Sequence, residues 1–506
     1  MSRLRPRWEA PLLAAAGALQ TLAFVHTALW PLPLLGAALL AWRLAAAPSA
    51  GRAAWLGWCY GWAWLVAGTW WLFISMHRYG HLPAWMAAAA VALLAALLSL
   101  YLAAAAALFR RWRSGTAADV PLFAALWLLA ELARGVIFTG FPWVASGYAQ
   151  VDAPLAVLAP WVGVYGIGAA GAALSAALAL PGRGRWAGLV AGAALLAGLA
   201  LAGPGQHTQA GRDLSVQLLQ PNVAQDEKFA VERMPATLQW VASRLIASRA
   251  DLVVAPETAV PLLPADLEGF APGYWQALQQ RFAQGSQAAL VGVPLGDFER
   301  GYTNSVAGLS AAGAPYRYDK QHLVPFGEFI PFGFRWFTEL MRIPLGDFAR
   351  GALAQPSFPV QGERAAPNIC YEDLFGEELA RRFADPAQAP TLFVNVSNIG
   401  WFGNSIAVDQ HLAISRLRAL EFQLPMLRAT NTGATAVIDH QGRVQAQLPA
   451  FTEGVLDAQV QARHGVTPFA AWSARAGLWP WLALALAVLG WRAFSAGAAG
   501  GRAVPR

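Results

Sequence analysis

The 506-residue chain reads as a polytopic α-helical membrane domain of about eight transmembrane helices, joined to one sizeable water-soluble α/β domain. The first ground is composition: 57% of residues are hydrophobic and only 13% charged, against about 25% charged in an ordinary soluble protein. No soluble core of this size hides so much apolar surface. The second is charge segregation. Residues 1–208 and 467–506 hold four acids (Glu9, Asp119, Glu131, Asp152) and sixteen Arg, whereas 209–466 hold 25 acids and 20 bases, so the net +7 divides into +12 and −5. The third is that short β-branched runs alternate with amphipathic stretches inside 209–466. Together these exclude a soluble monomer, a disordered chain and a disulfide-stapled secreted domain. Nucleic-acid binding is excluded too, because the basic surplus lies in short loops rather than on one face of a folded domain.

The expected organisation is a membrane domain over 1–208 with seven helices, a soluble domain over 209–466, and a last helix with its tail over 467–506. Apolar runs suited to crossing a bilayer, which need roughly 17–25 residues, lie near 11–25, 28–46, 53–75, 83–109, 119–137, 154–180, 186–203 and 474–494. Bases cluster in alternate loops: Arg3, Arg5 and Arg7; Arg43 and Arg52; Arg110, Arg111 and Arg113; Arg183 and Arg185; Arg492, Arg502 and Arg506. The positive-inside rule then sets both termini in the cytoplasm and the soluble domain on the outer face. The first run follows three Arg like a signal peptide, but further spans come at once, so it is expected to stay as an anchor. The Trp and Tyr crowding 55–71 reads as interfacial belt or helix packing. In Trp127–Trp143, Glu131 and Arg134 stand one helical turn apart in an apolar setting. They form either an ion pair pinning the following loop or the approach to an active-site mouth.

In the soluble domain, strands are expected at Ser215–Gln220, Leu252–Ala255, Ala288–Val293, Thr303–Leu309, Asn368–Tyr371, Thr391–Val396, Met426–Ala429 and Thr435–Asp439. Helices are expected near 231–248, 273–284, 374–384 and 406–422. Such alternation argues for layered sheets and helices.

Scarcity points to the chemistry. The chain has two Cys and two Lys among 36 bases, so a Lys retained where Arg is the habit offers a compact ammonium of tunable pKa. Lys228, after Asp226 and Glu227, reads as a surface charge. Lys320 lies in the polar, turn-rich stretch Tyr318 to Glu328. Cys59 falls in an apolar helix and reads as packing. Cys370 follows a short apolar strand and precedes Tyr371, Glu372 and Asp373. Glu257 follows another strand and precedes Thr258; alone it would read as a turn or cap residue. A Glu, a Lys and a Cys, each at a strand end, are the parts of a thiol acyl-transfer site.

These residues and their surroundings resemble the nitrilase (carbon–nitrogen hydrolase) superfamily, and with the apolar helices the whole chain resembles the bacterial apolipoprotein N-acyltransferase family. The likeness runs through Trp127–Trp143, Val216–Phe229, Pro256-Glu257, Lys320 to Pro331, Cys370-Tyr371-Glu372, Ser397 to Gly403 and Arg428 to Gly433. It implies an αββα sandwich with catalytic Glu257, Lys320 and Cys370. It further implies supporting or substrate-binding roles for Glu328, Tyr371, Glu372, Phe229, Trp401, Phe402 and Trp143. Phe229 stands where the family often has Trp, and Ile399 where it often has an acid. The implied reaction is ping-pong. An acyl chain passes from a glycerophospholipid, typically phosphatidylethanolamine, to Cys370 as a thioester, then to the α-amine of an S-diacylglyceryl-cysteine on an apolipoprotein. The implied location is the bacterial inner membrane, with the catalytic domain facing the periplasm. A membrane-tethered amidase releasing its acyl group to water is the alternative. A Cys–His hydrolase using His411 or His322 and a non-catalytic transporter are more distant ones. No metal or cofactor is expected: the Cys lie far apart, no His pair has ligand spacing, and phosphate- and dinucleotide-loop patterns are absent.

Overall fold

A computed structural model describes residues 6–180, 185–228, 230–297, 299, 301–311, 315–331 and 348–500. The chain divides into two compact units: Met1–Phe73, Pro83–Gly205 and Ala476–Arg506 form one, Ile74–Leu82 and Gln206–Arg475 the other.

The first unit is helical, with helices Pro6–Leu19, Pro31–Ala46, Ala50–Thr69, Ala84–Trp112, Asp119–Val136, Ala159–Ala179, Arg185–Ala202 and Trp479–Gly500. Their starts carry local reasons: Pro31 opens the second, and the Ser49 hydroxyl accepts the Arg52 N–H at 3.1 Å. Such residues satisfy or avoid the orphan donors of a first turn. Small residues let helices approach closely. A Cβ on Gly57 would sit 2.6 Å from that of Ala106, and one on Gly17 would reach the Tyr60 carbonyl at 2.2 Å. The crowded Trp residues bond between helices: Trp58 and Trp62 each donate at 3.0 Å, to the carbonyls of Ala96 and Ala92. Glu131 accepts the Ser146 N–H at 2.7 Å and its hydroxyl at 3.0 Å, while Arg134 lies 3.5 Å from Glu131 and donates to the Val144 carbonyl. That is the geometry of a pair pinning the loop after its helix.

Among the described residues four helical stretches are long and apolar enough to cross a membrane: Thr27–Ala46, Ala84–Trp112, Asp119–Thr139 and Pro154–Ala179. A fifth candidate is bent by 86° between Pro468–Ala476 and Trp479–Ser495. The remaining expected runs give shorter helices or, in Ala50–Thr69, a helix diluted by Arg52, Gly, Trp and Tyr.

Among its described residues, the second unit contains two six-stranded sheets. One has the order β12-β1-β2-β3-β4-β5, the other β11-β10-β9-β8-β7-β6. The strands are β1 Thr208–Gln220, β2 Leu252–Ala255, β3 Ala288–Asp297, β4 Gly301–Leu309, β5 Tyr316–Asp319, β6 Phe358–Val360, β7 Glu363–Ile369, β8 Leu392–Ser397, β9 Met426–Thr430, β10 Ala436–Ile438, β11 Val444–Gln447 and β12 Gly454–Gly465. β1–β2–β3 and β7–β8–β9 are parallel and the outer pairs antiparallel. Leu214, Val216, Leu252 and Val254 of one sheet share a buried core with Ile369, Val394, Val396 and Leu427 of the other. Helices cover both outer faces: Met234–Ala247 and Tyr274–Phe282 on one, Ala407–Phe422 and Pro468–Ala476 on the other. The result is an αββα sandwich whose inner layers read as apolar runs because both faces of each strand are covered. Where a strand over Asn368–Tyr371 was expected, the chain leaves the sheet at Ile369, and Cys370 begins a 3-10 turn.

Candidate active site

The site forms where several strand ends meet. β2 runs parallel to β3, and β5 shares its direction through two antiparallel steps across β4, so Glu257, Lys320 and the start of β4 fall at one end of the sheet. Gly292 on β3 permits this, since a Cβ there would lie 2.2 Å from the Pro256 carbonyl and 2.7 Å from the Glu257 Cα. In the other sheet, Cys370 follows β7 with φ +52°, a conformation few L-residues adopt without support.

That support comes from Glu372. One carboxylate oxygen accepts the Ile369 N–H at 2.7 Å and the Tyr318 hydroxyl at 2.7 Å, and the other accepts the backbone N–H groups of Gln321 and His322 at 2.7 and 3.2 Å. Glu372 thus ties the Cys370 turn to the loop that carries Lys320. Burial raises its carboxyl above the usual range, against those bonds.

Lys320 is 1% exposed. Its Nζ donates to Glu328 Oε1 at 2.8 Å and to Glu257 Oε1 at 3.4 Å. Asn304, on β4, donates to the same two oxygens at 2.8 and 2.7 Å. The second Glu257 oxygen accepts the Asn398 N–H at 2.8 Å, and that of Glu328 accepts the Val324 N–H at 2.9 Å. Burial opposes ionisation of Glu257, but the charges of Lys320 and Lys228 and the Asn304 and Asn398 bonds hold its carboxyl below the usual range. Lys320 is raised despite burial by Glu328 and Glu257. The Cys370 thiol is pushed up to about 12, by burial first and then by Glu257, with Lys320 acting the other way. At rest the site therefore holds a carboxylate, an ammonium and a neutral thiol.

Both His of the Cys–His alternative are committed elsewhere. His411 Nε2 lies 3.2 Å from the Cys370 carbonyl, and its Nδ1 3.2 Å from Arg428 Nη2. Arginine only donates, so Nδ1 accepts and Nε2–H donates to the carbonyl, not to sulfur. His322 stacks on Phe375 at 3.5 Å and meets Glu378 at 2.9 Å. Behind the nucleophile Asp373 bonds Ser415, and Arg428 bonds both.

Of the remaining expected residues, Tyr371 is buried with its ring against Phe375 and His322. Trp401 is 40% exposed and meets Tyr79 edge-on at 5.5 Å, and Phe402 follows it in the 3-10 turn Ile399–Phe402. Trp143 belongs to the first unit, where it packs on Trp71. Phe229 lies outside the described residues. Lys228 corrects the surface-charge reading: it is 5% exposed and donates to the Glu257 carbonyl at 3.0 Å. Asn304 and Asn398 were not anticipated. A signal for the first was the polar run Thr303-Asn304-Ser305 inside a strand buried on both faces.

The profile of the apolipoprotein N-acyltransferase N-terminal domain matches residues 16–177, and that of the carbon–nitrogen hydrolases residues 214–468. An apolipoprotein N-acyltransferase of Verminephrobacter eiseniae is 54% identical over 93% of this chain and 94% of its own length. The chain belongs to the apolipoprotein N-acyltransferase family. It is therefore an acyltransferase enzyme. A second relative of that name, from Ralstonia nicotianae, is 46% identical over 92% of this chain and 90% of its own. Among solved structures, a carbon–nitrogen hydrolase superfamily protein of Xanthomonas campestris, with an arsenic adduct in its active site, covers 53% of this chain and 96% of its own length at 22% identity and a TM-score of 0.37.

Proposed function

We propose that the chain moves an acyl chain from a membrane glycerophospholipid, phosphatidylethanolamine being the expected donor, to the N-terminal α-amine of an S-diacylglyceryl-cysteine on an apolipoprotein. The observation that carries the chemistry is the convergence of Glu257, Lys320, Glu328 and Asn304 beside a cysteine held at positive φ. Glu257 takes the Cys370 proton as sulfur attacks the ester carbonyl. Two of the three Lys320 donors are engaged by carboxylates, and the third serves the tetrahedral oxyanion; one such donor is worth roughly 10²–10³ in rate. Collapse breaks the ester C–O bond, and Glu257 returns the proton to the departing lysophospholipid oxygen. The α-amine then attacks the thioester, Glu257 accepts its proton, and the C–S bond breaks to release a Cys370 sulfur that Glu257 reprotonates. With an ordinary pKa near 7.7–8.0, roughly a tenth to a sixth of that amine is unprotonated at pH 7 and able to attack.

Trp401 and Phe402 serve as an apolar wall over the acyl chain, keeping water from the thioester. Glu328, Tyr371 and Glu372 hold the pocket, and Phe229 and Trp143 complete the expected set. Membrane anchoring suits substrates that both reside in lipid. The proposed arrangement is eight spans in the bacterial inner membrane, with domains at 1–208, 209–466 and 467–506 and the catalytic one in the periplasm. The family supports transfer over the amidase alternative, which shares every side chain named.

Purified chain mixed with phospholipid should yield a Cys370 thioester detectable by intact-mass and peptide spectrometry, and added diacylated lipopeptide should become N-acylated. Cys370→Ala and Glu257→Gln should remove both signals. Free fatty acid as the sole product, or turnover surviving Glu257→Gln, would overturn the assignment.

A further inference from the structure

We infer that Lys228 is the second cation of this catalytic centre, a positioning residue whose charge offsets the surplus negative charge of Glu257 and Glu328 and favours the Cys370 thiolate. The inference rests on the acyl-transfer reading for its consequence, but not for its geometry.

The charge count comes first. Glu257 and Glu328 are buried and share one ammonium, that of Lys320. Ionised, the three carry one uncompensated negative charge, and burying such a charge is costly unless a partner balances it. Lys228 is the other buried ammonium at this place. Its Nζ meets Glu257 through the backbone carbonyl rather than the carboxylate. It therefore leaves both carboxylate oxygens to Asn304, Lys320 and Asn398, while anchoring the turn in which Thr258 has φ +52°. The rest of its loop is fastened separately. Gln225 accepts from the Asn398 side chain at 2.7 Å, Asp226 pairs with Arg78 at 3.0 Å, and Glu227 lies 3.5 Å from Arg233. Those acids point to other cations, so the charge of Lys228 is directed at Glu257 and Cys370. The other charged groups acting on Cys370 are Glu257, Lys320, Glu328 and Arg428, with neutral His411 at its carbonyl.

Burial lowers the Lys228 pKa to about 8, with Glu257 and Cys370 acting in the opposite direction. The ammonium is mostly charged at neutral pH and lost as pH rises through that value, which provides a readout that a purely structural lysine would not move. The full-length protein in nanodiscs would be alkylated with iodoacetamide from pH 6 to 9.5. Cys370 and Cys59 peptides are then resolved by mass. In wild type, the logarithm of the Cys370 rate should climb with pH and bend near 8. Lys228→Met should be roughly tenfold slower at pH 7, as loss of a nearby opposite charge implies, and should climb without the bend. Lys228→Arg should keep the wild-type rate at pH 7 and lose the bend, because its charge persists. Acyl-enzyme formation from phospholipid should fall about tenfold or more in Lys228→Met and stay within threefold in Lys228→Arg. Superimposable wild-type and Lys228→Met profiles, or a bend retained in Lys228→Arg, would overturn the inference. If the alkylation shifts occur while wild type forms no thioester, the lysine assignment stands and the acyl-transfer reading fails.

Discussion

Glu372 shows how a residue can be necessary without touching a reacting atom. Its two oxygens take four donors from three places in the chain, and only a carboxylate can accept all four. Glu372→Gln turns one acceptor into an NH₂ facing an N–H. Leaving buried donors unpaired costs about 1–3 kcal/mol each, so a thermal midpoint several degrees lower is expected, with acyl-enzyme formation reduced by about 10² or more. Wild-type melting and wild-type acylation in that variant would remove Glu372 from the support of the turn. At this scale the sequence was readable through rarity. Cys370 and Lys320 stand out because the chain has two of each type, and they do converge in space with Glu257, Glu328 and Glu372. Asn304 and Asn398 are common residues whose value depends on pairings far along the chain. Lys228 was misread because its acidic neighbours suggested a solvated face, whereas burial follows the path of the loop, which local composition does not encode.

At the scale of elements, the reaction centre is a consequence of strand ends. Four residues that never adjoin in sequence meet because β2, β5 and β7 end where β4 begins. The Pro256–Glu257 backbone lies close over Gly292, so Gly292→Ala should push that turn away and cost about 1–3 kcal/mol from overpacking. Acyl-enzyme formation should drop more than stability, since an error near 1 Å in a catalytic group can cost about 10² in rate. A variant that melts early yet acylates at the wild-type rate would show that the turn tolerates the shift. The eight expected strands were readable because their inner faces are continuous apolar runs. β5, β6 and β11 were missed because they are short, having four, three and four residues. β12 was missed because it is an edge strand whose alternating exposed residues look like loop. The boundary error at Cys370 has another cause: the positive φ that ends β7 is held by tertiary bonds to Glu372, invisible to propensity.

For the whole molecule, segregated charge proved the most economical guide to a helical part and an α/β part. The number of spans is less readable. Among the described residues four stretches qualify by length and apolarity, and a fifth is broken by 86°, because Trp, Tyr, Gly and Arg dilute several helices that hydrophobic content alone would count. The proposed orientation has a direct check. In a background with both Cys59→Ala and Cys370→Ala, single cysteines at exposed Gln280 and exposed Ala117 would be challenged with a membrane-impermeant maleimide in cells with a permeabilised outer membrane. Gln280→Cys should label and Ala117→Cys should not until the inner membrane is opened; the reverse pattern would invert the topology. The catalytic unit is also discontinuous, for it includes Ile74–Leu82 as well as Gln206–Arg475. In it Arg78 grips Asp226 and Tyr79 meets Trp401. A ribosome delivers that first stretch long before the strands it joins, at about 5–20 residues per second. At that rate one piece of the enzyme waits at the membrane for the rest for roughly 20–80 seconds of synthesis, and a gene fragment beginning at Gln206 would encode every proposed catalytic side chain and still be missing a part.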